Sequence, residues 1–91
     1  MSGNATLRLP AVLDLAAATP LKASLAAVRG GSVEVDGADV ERMGALCLQV
    51  LAAARTAWRA DGRELRIVNA SEALSSAAAL MGGAEHLGLT A

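Results

Sequence analysis

Few side chains in this sequence could carry out catalytic chemistry. It contains one cysteine, Cys47, one histidine, His86, and no tyrosine. Acid–base or nucleophilic catalysis needs at least two cooperating groups that a scaffold holds together. Cys47 lies among apolar neighbours, where a thiol is typically a small buried hydrophobic group. His86 lies in a glycine-rich tail, where we expect a solvated side chain. The sequence therefore predicts no catalytic site.

Metal and phosphate sites are not indicated either. One cysteine can form neither an intramolecular disulfide nor a cysteine-based metal site within one chain. The glycine pairs at residues 30–31 and 82–83 do not stand between a strand and a following helix, as a phosphate-cradling loop requires. We interpret both pairs as helix ends, and we expect neither a cofactor nor a metal ion.

Charge and hydropathy exclude further classes of partner. Eight lysines and arginines balance nine acidic residues, giving a net charge of −1, and the basic residues are scattered along the sequence. Nucleic-acid binding typically needs clustered cations, so none is expected. The N-terminus does not resemble a leader, and the longest apolar runs, such as residues 50–54, are far shorter than a membrane span. We predict a cytoplasmic protein without membrane insertion.

The 91 residues suit a single domain. We expect its core to cover about residues 5–83, with a C-terminal tail at residues 84–91. Trp58 is the only aromatic residue, and the apolar content comes mostly from alanine and leucine, which favour helices.

Local patterns predict the order of elements in the first half of the chain. Residues 6–9 alternate as a half-buried strand does, and a short second strand at residues 12–13 is expected to form a hairpin with it. Thr19 before Pro20 is typical of a helix start, with the hydroxyl as N-cap, and Gly30 ends that helix. Residues 32–36 alternate again and predict a strand.

The second half of the chain predicts a long helix, a strand and a last helix. Residues 44–60 contain no internal glycine or proline, and Asp61-Gly62 is a stop signal. Residues 65–68 predict a strand, and Asn69 or Ser71 would cap a helix running to residue 82. This order predicts an α/β domain with right-handed parallel crossovers and a sheet covered by helices.

A helical wheel divides the long helix into two faces. The predicted core face carries Leu46, Cys47, Val50, Leu51, Ala54, Ala57 and Trp58. The predicted outer face carries Ala45, Leu48, Gln49, Ala52, Arg55, Thr56 and Arg59. The first two turns of the outer face are small or apolar rather than charged, which leaves a partner-docking stripe and an ordinary surface as equal alternatives.

Several short segments together resemble one family. They are residues 33–36, Val40-Glu41-Arg42-Met43, Leu48-Gln49-Val50-Leu51, Gly62-Arg63 and residues 65–69, with Leu9-Pro10 and Leu13-Asp14 near the start. This pattern resembles the STAS domain of anti-sigma-factor antagonists and related regulators, over about residues 7–83.

The resemblance implies a mixed β-sheet of about four strands flanked by three or so α-helices. It also implies a non-enzymatic role in protein–protein regulation. Many members carry a Ser or Thr at the strand-to-helix junction, which a partner kinase phosphorylates. Here Ala45 stands at that position and Gly44 replaces the preceding carboxylate, so the usual switch is lost.

The resemblance also suggests partners. Residues 42–51 are most similar to the STAS proteins encoded with bacterial chemotaxis genes, some of which bind the histidine kinase CheA. Alternatives are an anti-sigma factor antagonist without the switch and a STAS subunit of a lipid-transport ABC complex. The predicted partner surface consists of Asp39, Glu41, Arg42, Met43, Gly44, Ala45, Leu48, Gln49 and Ala52.

Overall fold

The computed structural model describes residues 5–80, which form five short strands and three α-helices. The strands are β1 (Ala5–Arg8), β2 (Val12–Leu13), β3 (Val33–Asp36), β4 (Arg42–Met43) and β5 (Leu65–Val68). The helices are α1 (Ala18–Ala27), α2 (Ala45–Ala60) and α3 (Glu72–Leu80), and a 3-10 turn at Leu15–Ala17 precedes α1. The predicted α/β architecture is confirmed. The predicted helix end at residue 82 and the tail with His86 lie outside the described residues.

The strands form two separate parallel sheets. In the larger sheet β3 lies between β1 and β5, and both neighbours are parallel to it. The smaller sheet joins β2 to β4, also in parallel. The predicted order of parallel crossovers is therefore present, but the described strands divide into sheets of three and two instead of one mixed sheet of about four.

The predicted hairpin of β1 with β2 is wrong. The backbone N–H of Leu9 donates to the carbonyl of Asp36 at 2.9 Å, so the chain stays beside β3 after β1 ends. The carbonyl of Ala11 then accepts from the N–H groups of Glu41 and Arg42, at 2.7 and 3.0 Å. These bonds give β2 a partner about 30 positions away in the sequence, which a local pattern does not reveal.

The larger sheet buries one face. Val33, Val35 and Leu65 are buried, whereas Glu34 and Arg66 on the opposite face are half-buried or exposed. The alternation that predicted these strands therefore reflects a one-sided sheet. Helix α2 packs against β5 and α1, and α3 packs against β4.

Helix α1 begins differently from the prediction. The carboxylate of Asp14 accepts a hydrogen bond from the N–H of Ala17 at 3.2 Å and so caps the 3-10 turn, which continues into α1 without a break. Thr19, predicted as N-cap, lies inside the first turn with an exposed side chain. Pro20 is tolerated there because N–H groups of the first turn need no helical partner.

Both ends of α2 and the start of α3 agree closely with the sequence signals. α2 starts one residue after Gly44 and stops before Asp61, and Gly62 adopts a positive φ of 72° that favours glycine. Of the two proposed caps for α3, Ser71 is the one used. Its Oγ accepts from the N–H of Leu74 at 3.1 Å, whereas Asn69 is a turn residue with φ of 54°.

One hydrophobic core connects all of these elements. It includes buried side chains from both sheets and from all three helices. Trp58 is buried, as predicted, and its indole N–H donates to the carbonyl of Gly31 at 2.8 Å. A Cβ at Gly37 would lie 2.6 Å from the Cδ2 of buried Leu74, so this position needs glycine for close packing. None of the helices within residues 5–80 is long and apolar enough to cross a membrane.

Candidate functional site

The start of α2 is fixed by hydrogen bonds to the segment around β2. The N–H of Gly44 donates to the carbonyl of Leu13 at 2.8 Å, and the Sγ of Cys47 lies 3.3 Å from the carbonyl of Asp14, to which its thiol donates. A Cβ at Gly44 would lie 3.3 Å from that Leu13 carbonyl oxygen. Residues 12–15 therefore run directly beside residues 42–47. Both segments contribute to one surface at this end of the molecule.

Two hydrogen bonds and an ion pair fix the loop that leads into α2. The N–H of Ala38 donates to the carboxylate of Asp36 at 2.9 Å, which tightens the turn after β3. Val40 is buried, and its carbonyl accepts from the hydroxyl of Ser71 at 2.6 Å. Asp39 pairs with Arg8, with 2.8 Å between Oδ2 and Nε. The loop is thereby ordered while its charged side chains point to solvent.

The predicted partner residues divide into three groups by exposure. Asp39, Glu41, Arg42, Ala45 and Gln49 are exposed. Gly44 and Ala52 are half-buried, and Met43 and Leu48 are buried. The structure therefore brings the nine residues together around the start of α2, but only five of them offer an open surface.

The predicted faces of α2 are wrong at two leucines. Leu48, assigned to the outer face, is 5% exposed, whereas Leu46, assigned to the core, is 39% exposed. The buried arc is turned towards Leu48 because α2 packs against β5 on one side and α1 on another. A helical wheel shows how wide the apolar face of one helix is. It does not show which side of that face is covered by neighbouring elements.

Two exposed apolar residues beside the start of α2 are not predicted by any pattern in the sequence. Leu15 is 76% exposed and Val12 is 43% exposed. Val12 lies opposite Arg42 in the small sheet, and the turn containing Leu15 packs against α2. Their proximity to α2 depends on the β2–β4 pairing, so no local signal could have revealed it. We define the α2-start surface as Val12, Leu15, Ala45, Leu46 and Gln49.

The α2-start surface offers shape and apolar area rather than reactive groups. Residues 37–49 contain no Ser or Thr, and Ala45 occupies the exposed first turn of α2. Cys47 is fully buried beneath the surface, and burial, reinforced by the nearby Asp14 carboxylate, raises the pKa of its thiol. A raised pKa keeps the thiol protonated and unreactive, as expected for a packing residue.

Comparison with protein families shows the family of the chain. The family model described as "Mlab, STAS domain" matches residues 1–89, almost the whole chain. The chain belongs to the STAS domain family. No curated protein and no solved structure matches it significantly. STAS domains are generally binding modules rather than enzymes. The sequence resemblance places the family's phosphorylated hydroxyl at the helix start described above.

Proposed function

We propose that this STAS domain is a non-enzymatic protein-binding module that engages its partner constitutively through the α2-start surface. The observation that carries the proposal is the exposed Ala45 at the first turn of α2, which has no hydroxyl to phosphorylate. A partner bound here cannot be released by modification of that residue. Regulation would then depend on the abundance of either protein or on the state of the partner.

The chemistry of the surface supports a protein partner. Leu15, Leu46 and Val12 expose large apolar side chains at one end of the molecule. Desolvated apolar centres with polar rims are typical of protein interfaces. Asp39, Glu41 and Arg42 border this centre and supply a rim of both charges.

For the partner, we propose a histidine kinase of the chemotaxis type, CheA-like. The support is the similarity of residues 42–51 to STAS proteins encoded with chemotaxis genes. An anti-sigma-type kinase and the ATPase of a lipid-transport ABC complex are the competing partners. The family description names Mlab, and the capture experiment below distinguishes the three partners.

Capture from cell extract would test the surface and the partner together. Ala45→Asp and Leu46→Glu each place a charge at the proposed centre, where an unpaired charge must be desolvated. We expect each to weaken the complex by about 2 kcal/mol, or roughly thirtyfold. Thr56→Glu is the matched control, because it adds the same charge to the exposed side of α2 about 16 Å further along the axis.

The identity of the captured protein separates the alternatives. Capture of a CheA-like kinase by wild type and Thr56→Glu, but not by the other two variants, supports the proposal in full. Capture of a transporter ATPase or an anti-sigma protein with the same variant pattern retains the surface and replaces the partner. Equal capture by all folded variants would contradict the α2-start surface itself.

Incubation with the captured kinase and ATP would test the loss of the switch. Because residues 37–49 contain no hydroxyl, we expect no phosphate there in the intact mass and in the peptide map. An Ala45→Ser variant is the matched gain-of-function control, since it restores only the missing hydroxyl. Phosphate mapped to residues 40–50 of the wild-type chain would show that our alignment with the family is wrong.

A further inference from the structure

A cleft at the opposite end of α2 is lined by arginines. It measures about 300 Å³ and lies between the last turns of the helix and β5. Four of the eight lysines and arginines of the chain line it, together with one acidic residue, Glu64. They are Arg55, Arg59, Arg63 and Arg66. A chain with a net charge of −1 thus concentrates positive charge at one place.

Within residues 5–80, the structure shows little pairing for three of the four arginines, namely Arg59, Arg63 and Arg66. Arg8 and Arg29, elsewhere on the surface, pair with carboxylates at 2.8 and 2.9 Å. Within residues 5–80, the side chains of Arg59 and Arg63 form no hydrogen bond or ion pair. Arg66 approaches Glu34 only to 4.0 Å, a separation at which an exposed pair contributes little.

Asp61, which lies between Arg59 and Arg63 in the sequence, forms its hydrogen bonds with Arg29 instead. Both carboxylate oxygens of Asp61 accept from Arg29, at 2.9 and 3.3 Å, and this bonding lowers the pKa of Asp61. Arg63 contributes to that shift only through its charge. Arg55 already has an interaction of its own, so Arg59, Arg63 and Arg66 are the groups that an anionic ligand would meet.

The floor of the cleft is the outer edge of a strand. In the described part of the chain β5 is an edge strand, with β3 on its other side. The carbonyls of Glu64 and Val68 accept from β3, at 2.9 and 3.0 Å. In a parallel ladder the alternate residues direct their N–H and C=O groups away from that partner. These are Leu65 and Ile67, and both line the arginine cleft.

We propose that this cleft binds an extended acidic segment of a partner protein, which adds a strand to β5. The backbone groups of Leu65 and Ile67 would pair with the segment, as in other cases of strand addition. Its alternate carboxylates, which share one face of the added strand, would meet the guanidinium groups of Arg59 and Arg63 on the α2 side of the sheet, with a geometry suited to paired hydrogen bonds. This second contact is separate from the α2-start surface and does not depend on the function proposed above.

An extended chain fits this cleft better than a small anion. The cleft adjoins the last turn of α2, where the helix dipole is negative and offers no free N–H groups. A compact phosphate is favoured at the opposite end of a helix. A strand with alternate acidic residues instead places its carboxylates along Arg59 and Arg63, and it uses the edge of β5 that is unpaired within residues 5–80.

Two synthetic peptides of equal charge would test the proposal. One alternates glutamate with valine, and the other alternates glutamate with proline, which lacks the N–H donor needed for strand pairing. Calorimetric titration of the full chain at low ionic strength should show at least about tenfold tighter binding of the valine peptide. Equal binding would reveal general polyanion attraction and would overturn the proposal.

Charge-reversal variants locate the binding. Arg59→Glu combined with Arg63→Glu should weaken binding of the valine peptide at least about tenfold, since two charge-assisted contacts are lost. Lys22→Glu is the control, because it reverses an exposed charge on α1 outside the cleft. Equal losses in the control and the double variant would contradict a site at β5.

Amide hydrogen exchange of the wild-type chain tests the strand edge directly. We expect the amides of Leu65 and Ile67 to exchange quickly in the free protein and slowly with the valine peptide bound. Slow exchange of both amides before any peptide is added would show that the edge is already paired, and would overturn the proposal.

Discussion

Trp58, the only aromatic residue of the sequence, links several parts of the fold. It is 3% exposed, packs into the core near the end of α2, and donates a hydrogen bond to Gly31. The guanidinium of Arg29 lies 5.8 Å from the ring centroid on its outer side. A single indole thus joins α2 to the turn before β3 and to the Arg29–Asp61 ion pair.

Replacement of this indole should largely unfold the domain. We expect Trp58→Ala to cost about 3–5 kcal/mol, a large part of the roughly 5–15 kcal/mol that stabilises a domain. Trp58→Phe is the control, since it keeps most of the apolar volume and loses mainly the hydrogen bond, worth about 1 kcal/mol. Thermal unfolding followed by circular dichroism measures both. A melting temperature of Trp58→Ala within a few degrees of wild type would contradict the burial.

Because the thiol of Cys47 is buried, the free energy of unfolding should depend on pH in the alkaline range. Its pKa is raised in the folded state, chiefly by burial. In the unfolded chain it should ionise near the usual value of about 8.5. Between these two pKa values only the unfolded state loses the proton, so the free energy of unfolding falls as pH rises.

Urea unfolding at increasing pH should reveal this loss. We expect a decline of up to about 1.4 kcal/mol per pH unit above pH ~8.5. Cys47→Ala removes the titrating group and should lack this part of the decline, whatever its own cost in packing. Parallel curves for the two proteins between neutral and alkaline pH would show that the thiol does not titrate differently in the two states.

At the scale of elements, α2 contains two leucines whose replacement by glutamate should affect stability very differently. Leu46 is 39% exposed and Leu48 is 5% exposed, although only one residue separates them. Leu48→Glu would bury an unpaired carboxylate in the core, which we expect to cost at least about 3 kcal/mol. Leu46→Glu places the same charge in solvent near the helix N-terminus, where it is tolerated. Circular dichroism of both variants is the measurement, and equal stability would contradict the observed orientation of α2.

How well the sequence predicts an element depends on how far apart in the sequence the residues that stabilise it lie. Both ends of α2 and the strand β3 follow from local signals, since glycine stops and alternation act within a few residues. The start of α1 was misplaced because Asp14, ahead of the predicted cap, organises a 3-10 turn first. The pairing of β2 with β4 and the rotation of α2 depend on distant segments, so no local pattern encodes them.

Contacts between distant segments also limit how much of the candidate functional site the sequence predicts. The helix start at Ala45 follows from local signals, and the predicted exposure of Ala45 is confirmed. Val12 and Leu15 join it only through the parallel β2–β4 pair. The prediction of scattered basic residues is wrong for the arginine cleft, because four of the eight basic residues fall within residues 55–66, at spacings of three or four.

At the scale of the whole molecule, α2 connects the two proposed contact surfaces. The α2-start surface lies at its N-terminal end and the arginine cleft at its C-terminal end, and the buried arc between them packs on α1 and β5. The buried core includes side chains from every helix and from both sheets. No described element has a core of its own, which is why we expect one cooperative unit.

Unfolding in urea should therefore be a single transition by every probe. Trp58 is the only aromatic residue and reports on the C-terminal end of α2 by fluorescence, whereas Cys47 reports on the N-terminal end by pulsed thiol labelling. Circular dichroism reports on the helices together. We expect the three midpoints to coincide, with a slope of about 1 kcal/mol per molar urea, as for a small two-state domain. Labelling of Cys47 at clearly lower urea than the fluorescence change would mean that the small β2–β4 sheet opens separately. In that case the α2-start surface would be a locally unstable element rather than a rigid docking platform.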